Sequence, residues 1–310
     1  MAAKLGPSII KSGLVLDLDA ADINSYIGSG TSWKDMTGNG NSGTLVNGPS
    51  FSSANGGSIV FDGVDDYINL RSGTILNNWN PDGTDAALSY RSYTSASIWF
   101  KTSTISTGGL NKMIFSDNSI EYGFYQNNSS LNFIAYGNRG TTIAANTWYN
   151  ACLVADIGRP NTGSYTQSGT TTITCTTTYP VTIITGNTIS IFFTSGAATS
   201  GSYIVTVTGS NTFTITAASP VTTSGNFYFS TNTNISYITA YLNGIQVGSQ
   251  LSANTSNGVN DNPFNLGRDG AGTSTSYFSG NIAILQLYNK NLTATEILQN
   301  YNATKSRFGL

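Results

Sequence analysis

The chain has no histidine, and only two of its 310 residues are glutamate, Glu121 and Glu296. Without histidine there is no Ser-His-Asp or Cys-His catalytic centre and no histidine metal site. A glycosidase built on neighbouring glutamates facing one glycosidic bond is also missing, because the two glutamates lie far apart and Glu296 sits where a helix cap needs it. Charge is scarce as well. Charged residues make up 9%, and the 13 basic and 15 acidic side chains are scattered singly. No basic stripe is available to meet phosphates, so nucleic acid is not an expected partner. No uninterrupted apolar run is long enough to cross a bilayer, and residues 1–7 lack the apolar core of a secretory signal. The expectation is a soluble protein made in a cytoplasm, with no membrane insertion. Cysteine is limited to Cys152 and Cys175, in separate strand-like runs. Cytoplasmic synthesis favours free buried thiols over a bridge.

Hydrophobic residues reach 39% and glycine numbers 34, with Ser, Thr and Asn filling most of the remainder. A disordered chain would combine high net charge with few aromatics, which is not the case here. Short alternating runs rich in β-branched and aromatic residues are separated by Gly, Asn and Ser clusters, an all-β pattern. The clearest strands are 14–18, 58–62, 67–70, 96–101, 113–116, 122–126, 131–136, 148–156, 237–242 and 282–288. They suffice for two packed sheets. Strands 58–62 and 67–70 flank a turn crowded with Asp62, Asp65 and Asp66, and they read as a β-hairpin. One helix is signalled, over 293–301, where Thr293 and Glu296 have capping-box spacing and Ile297, Leu298 and Tyr301 make an apolar face.

The order of these features resembles the laminin-G-like, concanavalin A-like lectin/glucanase superfamily. The residues that carry the resemblance are the run Gly13 to Asp22, the loop Trp33-Lys34-Asp35-Met36-Thr37-Gly38-Asn39-Gly40-Asn41, the stretch Gly56 to Leu70, and the closing strand and helix from Phe278 to Glu296. The resemblance implies a jelly-roll β-sandwich ending in a short helix. It also implies that strand 148–156 has a hairpin partner reached through a short turn. Here that partner is 236–242, followed by Asn243-Gly244, far downstream. The intervening 157–235 carries its own strands at 170–176, 188–194, 203–207, 212–216 and 227–230. The expected organisation is a sandwich in two pieces, 1–156 and 236–310, with a small β module, 157–235, inserted at a hairpin tip, where chain ends stay close together. Gly186 to Gly196, Gly201 to Val207 and Asn211 to Ile215 resemble small β modules of tailed-phage virion proteins. The lectin-like part resembles structural proteins of marine and cyanobacterial myophages.

Candidate sites are of three kinds. Asp35, Asn39 and Asn41 surround flexible glycines, and calcium takes six to eight oxygens from such groups. Asp and Asn beside glycine also make Asx turns, the favoured reading, and calcium is the one cofactor that this loop would hold. Trp79, flanked by Asn78 and Asp82, is the ring in a loop where it could stack on a sugar, with packing against the sandwich as the favoured reading. Ile9, Ile10, Phe308 and Leu310 give the termini apolar groups to bury in their own sandwich or a neighbouring chain. The resemblance thus implies a non-enzymatic virion-surface protein, a capsid decoration, neck or tail fibre component. Its partners are other virion proteins and further copies of itself. The alternative is a carbohydrate-binding module that recognises host surface glycans.

Overall fold

The computed structural model describes residues 7–70, 92–116, 122–135, 138–157, 161–177, 183–231, 235–254, 264–269 and 276–310. The chain divides into two compact units, a sandwich from the residues up to 156 and from 236 onward, and a module of 157–235.

The sandwich has two antiparallel sheets. One follows the spatial order 245–246, 235–242, 149–157, 92–102, 279–288, 58–62, 50–52, with Leu14–Asp19 also paired to Ser279–Tyr288. The other runs 138–142, 130–135, 122–127, 112–116, 265–266, 67–69, 43–46, 32–33. Alternation sends one face of each sheet inward. Leu18, Ile59, Phe61, Ile98, Phe100 and Leu285 from the first sheet are buried, as are Ile68, Phe115, Phe124 and Phe133 from the second. At one contact with the first sheet there is room only for glycine. A Cβ on Gly267 would sit 2.6 Å from the Phe61 ring, and its φ of +89° is one that side-chain-bearing residues avoid.

The pairing of strands 58–62 and 67–70 as a hairpin is corrected. Ser58–Asp62 pairs with Ser50–Ser52 and Ser279–Tyr288, whereas Tyr67–Asn69 pairs with Gly43–Val46 and Asn265–Leu266 in the other sheet. The turn between them is an arch from one layer to the other. Its two strands present Phe61 and Ile68 to one core from opposite sides, which a hairpin, lying in one sheet, cannot do. Asp66 closes the arch by accepting the Asp62 N–H at 3.0 Å.

Strand Tyr149–Ile157 pairs with Ile235–Leu242 from Ala151 opposite Leu242 to Asp156 opposite Tyr237. The helix α1, Ala294–Thr304, begins with a full capping box: the Thr293 hydroxyl accepts the Glu296 N–H, and Glu296 accepts the Thr293 N–H. Among the described residues, no helix is long and apolar enough to cross a membrane.

The module is one five-stranded sheet with its own apolar core of Tyr165, Ile173, Cys175, Ile189, Ile191, Phe213, Phe227 and Phe229. Its short predicted strands merge into longer ones. Asn161–Thr177 pairs with Thr212–Thr231, with register shifts near Ser168 and Thr170. The Thr- and Ser-rich stretches that flank those short strands continue the ladder. Threonine is at ease in an extended strand, and pairing satisfies backbone groups that a loop would leave to water.

Candidate functional site

The loop at Asp35 ties itself to the first strand. Asp35 Oδ1 accepts the N–H groups of Asp17 (3.1 Å) and Thr37 (3.0 Å). Its Oδ2 accepts the Thr37 hydroxyl (2.7 Å) and the Asn41 N–H (3.1 Å). Asn39 and Asn41 donate their amides to the carbonyl oxygen of Val15 at 3.1 and 2.5 Å. The three sequence-selected residues are therefore brought together, with Asp35 and Asn41 buried and Asn39 exposed. Asp35 makes an Asx turn to Thr37, and four donors already fill its carboxylate. A cation here would have to displace those donors.

A second carboxylate group lies on the arch, where Asp62, Asp65 and Asp66 each place an oxygen within 4.8 Å of the others. Asp62 also accepts the Val64 N–H at 2.8 Å. Asp62 and Asp65 are exposed and Asp66 is buried. Burial pushes the Asp66 carboxyl above its usual range against the pull of the Asp62 N–H, with the neighbouring carboxylates adding to the rise. Asp17 is raised too, by burial, although Gln286 (3.1 Å) and Lys11 (3.2 Å) both bond to it.

At the C-terminus the chain locks onto its own sandwich. Phe308, 6% exposed, stacks on Trp99 with ring centres 4.0 Å apart and lies 4.7 Å from Trp148. Arg307 reaches Asp19 at 2.5 Å, the Asn55 carbonyl at 2.5 Å and the Gly57 carbonyl. Asn55 returns a bond to the Arg307 carbonyl and accepts the Trp148 indole N–H at 3.1 Å. Of the two burials open to Phe308, in its own sandwich or in a neighbouring chain, the ring takes the first and fills a slot between two tryptophans of its own chain. Leu310 remains 47% exposed, Ile9 is half-buried, and Ile10 packs beside a cluster containing Tyr288, Leu292 and Ile297.

Trp79, Asn78, Asp82 and Glu121 lie outside the described residues. Arg307 and Asn55 escaped the sequence reading because their partners are about 250 residues away and no local motif marks them. Both cysteines are free and buried, and burial pushes each thiol up to about 12.

The sandwich layers and closing helix have the concanavalin A-like jelly-roll fold. A sequence model described as the concanavalin A-like lectin/glucanases superfamily finds its domain over residues 159–298, a span that takes in most of the module and the sandwich strands after it. No curated protein sequence matches the chain. Among solved structures, a sialidase of Trypanosoma rangeli in complex with 2,3-difluorosialic acid is similar at a TM-score of 0.52 and 10% identity, over 97% of this chain and 35% of that one. The binding domain of botulinum neurotoxin DC, in complex with rat synaptotagmin II, is similar at 0.51 and 9%, over 94% and 52%. The binding domain of Paraclostridial Mosquitocidal Protein 1 gives 0.50 and 10%, over 94% and 52%. The chain thus spans between about a third and a half of these structures, and what is shared is the fold. Enzymes and binding domains both use this sandwich, so the fold by itself assigns no catalysis.

Proposed function

We propose that this chain is a non-enzymatic structural protein of a tailed-phage virion, a capsid decoration, neck or tail fibre component that works by binding. The observation that carries the non-enzymatic reading is how four of its fifteen carboxylates are employed. Asp17 meets Gln286 and Lys11, Asp19 meets Arg307, Asp35 holds four donors, and Glu296 caps α1 and meets Lys290. Among these four, none is free to act as an acid facing a second as base or nucleophile across a glycosidic bond. The virion assignment is supported by the resemblance, read in the sequence, of the module's runs Gly186 to Gly196, Gly201 to Val207 and Asn211 to Ile215 and of the lectin-like part to phage structural proteins. A neutral surface rich in Ser, Thr and Asn also fits, since it persists outside a cell without adhering to charged matter.

The test is to purify particles, identify their proteins by mass spectrometry and locate this chain by cryo-electron microscopy. Expected is a symmetric set of copies on the particle surface; purified particles that lack the chain would refute the proposal. A second reading, a carbohydrate-binding module for host surface glycans, is favoured by one observation, an aromatic pair open to solvent on the module, Phe192 and Tyr228.

A further inference from the structure

Residues 157–235 contain one charged side chain, Arg159. A surface this bare of charge offers little to an anion, a cation or a nucleic acid. It can still recognise a ligand through ring faces, hydroxyls and amides.

The sheet register puts such groups on one face. In the module, Ile189, Ile191 and Phe229 are buried, and Ile191 is paired with Phe229. Successive strand residues alternate sides, so Ser190, Phe192 and Tyr228 lie on the opposite, outer face. Phe192 is directly paired with Tyr228, and their rings stack 5.0 Å apart at 18°. Ser190 faces Ser202 across the neighbouring pair of strands. On the far side of the aromatic row, the exposed Ser164 and Asn226 are paired. Phe192 is nevertheless 45% exposed, although its partner covers one side of the ring.

We infer that this outer face of the module is a binding site for a neutral saccharide, with the face of Phe192 turned away from Tyr228 as the stacking surface, Tyr228 backing that ring, and Ser190, Ser202 and Asn226 as hydrogen-bonding groups around it. The axial C–H bonds of a pyranose pack on an aromatic face, and its equatorial hydroxyls meet hydroxyl and amide groups beside the ring. The inference rests on the carbohydrate-binding reading and gives it a place and a ligand class.

The test uses the whole chain with isotope-labelled aromatic and backbone groups. It is titrated with xylotetraose, cellotetraose and maltotetraose as neutral probes and with trigalacturonate as an acidic one. Expected is that at least one neutral probe shifts the Phe192 and Tyr228 resonances, while trigalacturonate does not. Phe192→Ala should weaken that binding about tenfold or more, an effect of the size expected for one lost stacking contact, and Tyr228→Phe should retain it. Both variants should melt like the parent, since neither replaces a fully buried group. The inference is overturned if no neutral probe shifts these resonances at millimolar concentration, or if binding survives Phe192→Ala and Tyr228→Ala together. A concentration-dependent dimer that Phe192→Ala dissolves would also overturn it, since the pair would then be a contact between copies. None of these failures bears on whether the chain is found in particles, which mass spectrometry decides separately.

Discussion

Phe308→Ala is the most demanding test of how the C-terminus is held. The ring is 6% exposed and lies against Trp99 and Trp148, so its removal loses both apolar burial and aromatic contact and leaves a slot between two rigid indoles. Truncation of a buried phenylalanine costs about 3–5 kcal/mol. Because neighbouring groups can partly collapse into the gap, the low end of that range, about 3 kcal/mol, is expected. For a domain the size of the sandwich, each kcal/mol moves Tm by about 2–4 °C, so the loss should be about 6–12 °C. Tryptophan fluorescence is the assay of choice: Trp33, Trp79, Trp99 and Trp148 all lie outside 157–235, so the signal follows the sandwich and not the module. The folded variant should also emit further to the red as water reaches the two indoles. Leu310→Ala, at a side chain 47% exposed, serves as the control and should change Tm little. A Phe308→Ala protein that melts and emits like the parent would refute the lock, and would mean that the tail is ordered by something other than this slot.

Four further outcomes are expected. Replacing 157–235 by a short Asn-Gly turn should leave a cooperative tryptophan-monitored melt, because strands 149–157 and 235–242 are hydrogen-bonded neighbours without it; loss of that melt would show the module to be needed for the sandwich. Cys152 and Cys175 should resist a disulfide reagent at pH 8 in the native protein and react in denaturant, since burial pushes both thiols up to about 12; rapid native labelling would contradict that burial. Burial raises the Glu296 carboxyl, but its bonds to Lys290 and Thr293 outweigh that effect and hold it below the ordinary value of a free glutamate. Its contribution is therefore complete above that value and is lost as pH falls through the lower folded pKa, so Glu296→Gln should flatten the acid limb of the stability curve, and an unchanged limb would disprove the linkage. Asp35→Ala should destabilise the sandwich by about 2–4 kcal/mol, with or without calcium, because it orphans donors that the carboxylate now accepts; a parent Tm that rises with calcium and falls with chelator would instead place an ion in the loop.

What could be read along the chain is what depends on neighbours along the chain. The capping box at Thr293 and Glu296, the alternation in 58–62 and 279–288, and the Asx turn in the glycine-rich loop 35–41 each need only a few consecutive residues to be recognised. The antiparallel pairing of 149–157 with 235–242 was legible through the family resemblance, which implies a hairpin partner for the first of these strands ending in a turn such as Asn243-Gly244. Tertiary structure alone decided partner choice. Strands 58–62 and 67–69 part to different sheets because 279–288 and 265–266, each some 200 residues downstream, supply their ladders, and no alternation pattern encodes which distant strand that will be. It also decided the fate of the last residues. A tail containing Phe308 reads as a loose apolar end until Arg307 meets Asp19, Asn55 and Gly57 and the ring enters its slot between Trp99 and Trp148. Those contacts exist only once the sandwich has brought both ends of the chain together, because each requires groups hundreds of residues apart to be held within a few ångströms.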